Sequence, residues 1–309
     1  MIDRIVTSDI RKNLFQGKVL LLLGPRQSGK TTLIRQVLDQ QTGKTRYLTG
    51  DDPAVRTRLS DISLALLKPL MEGCDLLVLD EAQRVRNIGI TLKLMVDHFP
   101  NTQVVATGSS SFDLAYQINE PLTGRKIVFH LYPISWQEWV QATDVIQAES
   151  GLELRLLYGM YPEVLMRPVR EKDVLAELAS DNLYKDLLSF APIRKPELLV
   201  QLLQALALQI GSEVSWNELS NLLKVDKQTV SNYVTALEQA YVIFRLGPFS
   251  RNLRQEISST RKIYFYDLGI RNALLGNFAP LHGRTDKGAL WENFIISERL
   301  KANHYARRL

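Results

Sequence analysis

The sequence has few of the features that mark exported or membrane-bound proteins. It contains one cysteine, Cys74, so no internal disulfide can form. Its longest apolar runs, such as residues 19–23 and 76–79, are far shorter than the roughly 20 residues needed to cross a bilayer. The amino-terminal residues mix charged and apolar side chains and lack the apolar core of a signal peptide. We therefore expect a cytoplasmic protein with no membrane partner.

The sequence also lacks a cluster of metal-ligating or nucleophilic residues. The four histidines lie far apart in the chain, at His98, His130, His282 and His304. Neither a zinc-type ligand set nor a Ser-His-Asp arrangement can be argued from their spacing.

Negative charge is scarce in the last part of the chain. Residues 241–309 hold 12 Lys and Arg against 5 Asp and Glu, whereas residues 1–240 hold 26 against 28. A basic segment of this kind suits a polyanionic partner, and it is equally typical of a solvated basic surface.

A phosphate-binding loop is the strongest motif that is present. Residues 24–31 fit the pattern G-x-x-x-x-G-K-[ST], between an apolar run typical of a buried strand and an amphipathic helical pattern. The glycines let backbone N–H groups face a phosphate, Lys30 supplies a charge for the β- and γ-phosphates, and Thr31 can ligate Mg²⁺. The predicted ATP-binding residues are Gly24, Pro25, Arg26, Gln27, Ser28, Gly29, Lys30, Thr31 and Thr32.

An acidic pair supplies the second half of this predicted site. Asp80 and Glu81 follow an apolar strand pattern, at the edge of an α/β sheet where ligands bind. We predict that Asp80 holds Mg²⁺ with Thr31 and that Glu81 orients the attacking water. The alternative for Glu81 is a cap of the next helix.

Two further residues are candidates for catalysis. Ser109 follows a strand pattern at residues 103–107 and could contact both the γ-phosphate and the water; Ser110 and Thr107 are its rivals, and helix capping is the alternative. Arg125 precedes the strand pattern at residues 126–131. It could stabilise phosphoryl charge in its own or a neighbouring copy's site, or form a salt bridge.

These motifs resemble the AAA+ ATPases, and more narrowly a prokaryotic AAA family with a carboxyl-terminal domain of unknown function. The resemblance rests on GPRQSGKTT, YLTGDDP, LLVLDEAQ, ATGSSS, LTGR and KIYFYDLGIRNALLG. It implies a P-loop sheet with an extra strand between the two nucleotide motifs. It also implies a restriction-endonuclease-like carboxyl-terminal portion. No Asp…Glu-x-Lys strand pair follows Glu292, so we expect a truncated form of that portion without nuclease activity.

Residues 198–246 carry the pattern of a winged helix-turn-helix. Ser215 and Glu218 form a predicted capping box, and a second helix follows the turn at residues 225–226. Its outward residues are predicted to contact DNA or to serve protein contacts: Lys227, Gln228, Thr229, Ser231 and Asn232. Predicted phosphate contacts on the wing side are Arg245, Arg251, Arg254, Arg261 and Lys262.

The sequence thus predicts an α/β fold, a P-loop NTPase (AAA+-like) parallel sheet with helices on both faces, followed by a helical connector and a winged helix-turn-helix domain. The expected boundaries are 1–132 for the ATPase domain, 133–195 for the helical connector, 196–250 for the winged helix and 251–309 for an incomplete α/β domain. Two functions remain open. One is a Mg²⁺-dependent ATPase acting on or near double-stranded DNA. The other is a nucleotide-controlled protein-interaction switch with slow turnover and no direct DNA binding. Under either function, the expected partners include a second copy of the chain or another protein.

Overall fold

A computed structural model of the chain describes residues 2–109, 121–182, 196–247 and 261–308. Ser110, Arg251 and Arg254, three of the residues considered above, lie outside these ranges. The chain divides into two compact units. One comprises Asp3–Leu131, and the other begins at Tyr132 and also includes Ile2.

The first unit is built on a five-stranded sheet in the order β2-β3-β4-β1-β5. All of its strand pairs are parallel. The strands are β1 (Val19–Leu23), β2 (Thr45–Thr49), β3 (Leu76–Asp80), β4 (Gln103–Gly108) and β5 (Lys126–His130).

The strand order follows from the distribution of apolar residues. Every residue of β1, β3 and β4 is buried, so both faces of these three central strands are covered. β2 and β5, which contain exposed and half-buried residues, form the edges. β4 lies between β1 and β3, which is the extra strand that the resemblance implies between the two nucleotide motifs.

Five helices accompany this sheet among the residues described for the first unit. They are α1 (Val6–Lys12), α2 (Lys30–Leu38), α3 (Pro53–Leu59), α4 (Leu64–Met71) and α5 (Ile88–His98). α2 buries Leu33, Ile34 and Val37, the apolar face expected from the sequence. A single 3₁₀ turn, Ala82–Arg84, follows β3.

The second unit is mostly helical. Its described helices are α6 (Trp136–Ala142), α7 (Val145–Ser150), α8 (Leu152–Tyr158), α9 (Pro162–Met166), α10 (Glu171–Glu177), α11 (Pro196–Leu208), α12 (Trp216–Leu223), α13 (Lys227–Gln239), α14 (Leu268–Leu274) and α15 (Lys287–Tyr305). Its strands are β6 (Glu213–Val214), β7 (Ile243–Leu246) and β8 (Arg261–Phe265). They form an antiparallel sheet in the order β6-β8-β7.

A continuous apolar core joins helices α8 to α15 to the small sheet. α13 contributes Val230, Tyr233, Val234 and Leu237, the face that the sequence predicts for this helix. Ser215 caps α12 by accepting from the Glu218 N–H. The predicted capping box is half formed, because the Glu218 carboxylate accepts from the Gln209 amide at 3.0 Å.

Candidate functional site

Apart from Arg125, the predicted site residues of the first unit that the structure describes meet at the carboxyl edge of the sheet. The parallel register pairs Leu23 with Gly108 and Thr49 with Asp80. The loop after β1, the acidic pair at the end of β3 and Ser109 after β4 therefore lie at one edge. Strand polarity brings together motifs that are up to 85 residues apart in the chain.

The loop at residues 24–29 has a backbone that only particular residues can adopt. A Cβ on Gly24 would lie 2.0 Å from the Leu131 carbonyl oxygen, so glycine is required by close packing. Gln27 and Gly29 have φ angles of 58° and 95°. α2 begins directly after Gly29, so its first N–H groups and its positive dipole end face the region of the loop.

The Lys30 side chain folds back onto this loop. Its ammonium donates to the Gly24 carbonyl at 2.9 Å and to the Pro25 carbonyl at 2.8 Å. Only 4% of the residue is exposed. A buried ammonium that is held by carbonyl dipoles of the loop can exchange them for anionic oxygens, which are stronger acceptors.

Asp80 accepts hydrogen bonds from three hydroxyl groups on three different elements. Thr31 donates to Oδ2 at 2.8 Å, Tyr47 donates to the same oxygen, and Thr107 donates to Oδ1. Burial raises the pKa of Asp80, but these bonds and the nearby Lys30 ammonium outweigh it, so its pKa lies below the ordinary value. Asp80 is therefore ionised at neutral pH, next to the hydroxyl of Thr31.

Tyr47 is a site residue that sequence reasoning missed. Its ring lies under the Arg35 guanidinium, 5.6 Å from the centroid, and its hydroxyl donates to Asp80. Burial, and then the hydrogen bond to Asp80, raise the pKa of Tyr47 above its ordinary value, so the hydroxyl remains a donor. The feature that could have indicated this role is the position of Tyr47 on β2, the strand that pairs with β3. A single sequence does not show which strands pair, so the role could not be predicted.

Glu81 has partners that are separate from those of Asp80. Its backbone is left-handed, with φ 50°, and its carboxylate makes no capping hydrogen bond to the 3₁₀ turn that follows. Oε2 instead accepts from Gln83 Nε2 at 2.6 Å and from Ser109 Oγ at 3.2 Å. Gln83, a second residue that the sequence did not single out, also donates to Ser109 at 3.0 Å.

The structure corrects one prediction for Arg125. The Val19 N–H donates to the Arg125 carbonyl, which places this residue at the amino edge of the sheet. β5 separates it from the P-loop by about 16 Å, at 3.3 Å per residue, and its side chain pairs with Asp97 at 2.6 Å. The prediction that Arg125 contacts the γ-phosphate in its own chain is therefore wrong. The predicted alternative, a salt bridge, is observed. A contribution to a neighbouring copy's site stays a prediction.

The predicted DNA-contacting residues of the second unit are unequally accessible. Lys227, Gln228 and Asn232 are exposed, with Gln228 donating to Asn232 at 2.9 Å. Thr229 and Ser231 are partly exposed, so their contact with a partner stays a prediction. The Thr229 hydroxyl donates to Asp226 at 2.7 Å.

The cations on the wing side are also partly engaged. Arg245 forms an ion pair with Glu238, and Lys262 pairs with Glu292 at 2.9 Å. Arg251 and Arg254 lie outside the described ranges. Phosphate contacts by Arg245 and Lys262 would therefore require these pairs to open.

The first unit has the fold of a P-loop NTPase, with the nucleotide motifs at the expected edge. Residues 16–140 match a family model described as an AAA domain, and residues 149–281 match one described as a domain of unknown function. A Walker-type ATPase of Pyrococcus abyssi has a similar structure, with a TM-score of 0.62 and 17% identity. That similarity covers 89% of this chain and 96% of the archaeal chain. These findings support nucleotide binding of the P-loop ATPase type.

Several curated relatives extend along most of the chain, and their names describe them as uncharacterized. A protein of Mycobacterium tuberculosis is 28% identical over 96% of this chain and 65% of its own length. One of Methanocaldococcus jannaschii is 26% identical over 96% of this chain and 69% of its own length. The chain therefore spans less than two thirds of the mycobacterial relative. Within the described ranges, no helix is both long and apolar enough to cross a membrane.

The close packing at Gly24 generates a stability prediction. Gly24→Ala should lower the free energy of unfolding by about 3 kcal/mol, because the new Cβ overlaps the Leu131 carbonyl and the loop must shift. Gly283→Ala is the matched control, since nothing lies within 4 Å of the Cβ it would add. Thermal melts of both variants check this; equal melting temperatures would contradict the described packing.

Proposed function

We propose that the first unit binds ATP with Mg²⁺ and hydrolyses the γ-phosphate. The observation that carries this proposal is the convergence of three groups at one sheet edge. The Lys30 ammonium donates to two carbonyls of the loop. The Thr31 hydroxyl donates to the Asp80 carboxylate, and the Ser109 hydroxyl donates to the Glu81 carboxylate. Phosphate binding, metal coordination and activation of the water can therefore each be carried out by different side chains.

The loop would bind the phosphates through backbone and charge. Loop N–H groups and the start of α2 would donate to phosphate oxygens, and Lys30 would leave the carbonyls of Gly24 and Pro25 to contact the β- and γ-phosphates. This exchange costs little, because the ammonium already lies among the loop residues.

The donor set at Thr31 and Asp80 fits Mg²⁺. Both side chains offer oxygen, which Mg²⁺ prefers, and their oxygens lie 2.8 Å apart with the carboxylate ionised. When bound, Mg²⁺ would neutralise phosphate charge. Tyr47 and Thr107 would hold the Asp80 carboxylate in position through the hydrogen bonds described above.

Glu81 would orient the attacking water and accept its proton. The amide of Gln83 and the hydroxyl of Ser109 fix the carboxylate through Oε2. Fixing the base in this way limits the orientations that the bound water has to search. In this proposal Ser109 acts through Glu81.

Lys30→Ala tests the binding part of the proposal. Removing the ammonium should weaken ATP binding at least about tenfold, which corresponds to about 1.4 kcal/mol. Lys44→Ala is the matched control, because Lys44 is exposed and directly precedes β2, at the amino edge of the sheet. This variant should bind ATP as the wild type does. Calorimetry measures both, and unchanged affinity in Lys30→Ala would contradict a phosphate-binding loop.

Glu81→Gln separates binding from hydrolysis. The amide keeps the size of the side chain but cannot take a proton, so turnover should fall on the order of 10²-fold while ATP affinity is retained. The control is Glu72→Gln at an exposed position. If steady-state phosphate release by Glu81→Gln matched that of the control, another group would have to be the base.

We further propose that residues 196–246, continued by β8, form a winged helix that contacts double-stranded DNA. The order α11, β6, α12, α13, β7, β8 and the small antiparallel sheet support this topology. The exposed Lys227, Gln228 and Asn232 at the start of α13 offer one cation and two amides, which can bond phosphates and base edges. A protein-interaction switch remains the second candidate, because the wing-side pairs occupy cations that DNA would need.

Two single variants separate charge from hydrogen bonding in this contact. Lys227→Ala should weaken duplex binding and reduce the slope of log affinity against log salt by about 1, whereas Asn232→Ala should weaken binding with an unchanged slope. Lys287→Ala, which removes an exposed lysine on α15, controls for net charge. Fluorescence anisotropy across a salt series measures these slopes. No binding to any duplex at low salt would favour the protein switch.

A further inference from the structure

Arg4 contacts the P-loop from a segment that carries none of the sequence motifs. It precedes α1 and is 8% exposed. Its Nη1 donates to the Ser28 carbonyl at 2.7 Å, and a Cβ on Gly29 would lie 3.6 Å from the same nitrogen. The guanidinium therefore packs directly against the Ser28–Gly29 peptide.

This contact fixes the orientation of one N–H group in the loop. The Ser28 carbonyl and the Gly29 N–H belong to the same planar trans peptide, so they point in opposite directions. Because Arg4 holds the carbonyl, the Gly29 N–H must point away from Arg4.

The loop needs such a restraint at this peptide. Gln27 and Gly29, on either side of Ser28, both have positive φ, and glycine can reach many other conformations at little cost. The Ser28 side chain adds no anchor, because its hydroxyl is fully buried and has no hydrogen-bond partner among the residues that the structure describes. A rotation of the peptide would turn the Gly29 N–H away from its present direction.

We propose that Arg4 is a positioning residue for the phosphates of the nucleotide. It holds the Ser28 carbonyl on one side of the loop, so that the Gly29 N–H faces the bound phosphates on the other. The guanidinium also adds positive charge next to the loop. This inference rests on the proposed nucleotide-binding function and extends the binding site to the segment before α1.

The experiment is calorimetric titration of the full chain with ATP and with inorganic tripolyphosphate. Arg4→Ala should weaken both at least about tenfold, which is the size expected for losing a charge-assisted hydrogen bond. Arg4→Lys should recover part of the loss, because lysine restores one charged donor, and Arg4→Gln should recover less. Arg11→Ala removes an exposed arginine from α1 and should match the wild type.

The outcomes separate this inference from the proposed function. If Arg4→Ala binds both ligands like Arg11→Ala while Lys30→Ala does not, Arg4 has no positioning role and the phosphate loop stands. If the wild type binds neither ligand, both proposals fail. Where Arg4→Ala melts below the assay temperature, the Lys and Gln variants decide. Tighter ligand binding by Arg4→Lys than by Arg4→Gln supports the inference. Wild-type affinity in both of these variants overturns it.

Discussion

A single buried carboxylate holds the candidate site together. Asp80 ends β3 and accepts from Thr31 at the start of α2, Tyr47 on β2 and Thr107 on β4. A charged group that is taken out of water is costly unless hydrogen bonds replace its hydration, and here hydroxyls from three elements do so. The same bonds fix the spacing of those elements. The side chain proposed to organise the metal is thus also the one that aligns the loop helix with the sheet.

The neighbouring Glu81 is kept apart from this arrangement by the backbone. In a regular strand adjacent side chains already diverge, and the left-handed conformation of Glu81 turns its carboxylate toward Gln83 and Ser109. Such a conformation costs a non-glycine residue about 1 kcal/mol, which the surrounding structure must supply. Gly50 leaves room for this conformation, because a side chain at position 50 would place its Cβ 2.3 Å from the Glu81 carbonyl oxygen. Two adjacent carboxylates can therefore have different partners and different proposed roles.

Local patterns in the sequence were sufficient for β1, β3, β4 and β5 and for the P-loop between β1 and α2. These features depend on residues that are close in the chain. Tyr47, Gln83 and Arg4 were not predictable, because their roles arise from contacts between elements whose pairing one sequence does not reveal. The prediction that Arg125 contacts the γ-phosphate in its own chain differs from these cases, because the sequence was sufficient to avoid it. A residue before a parallel strand lies at the amino edge, whereas the P-loop follows a strand and lies at the carboxyl edge.

Asp80 is the residue expected to link nucleotide binding to a divalent cation. The most direct measurement is the affinity for ATP, by calorimetry, of the wild type and Asp80→Asn, each with Mg²⁺ and with a chelator. We expect Mg²⁺ to strengthen ATP binding by the wild type and most of this gain to be absent in Asp80→Asn, because an amide is a weaker ligand than a carboxylate. An equal gain from Mg²⁺ in both proteins would show that Asp80 does not hold the cation.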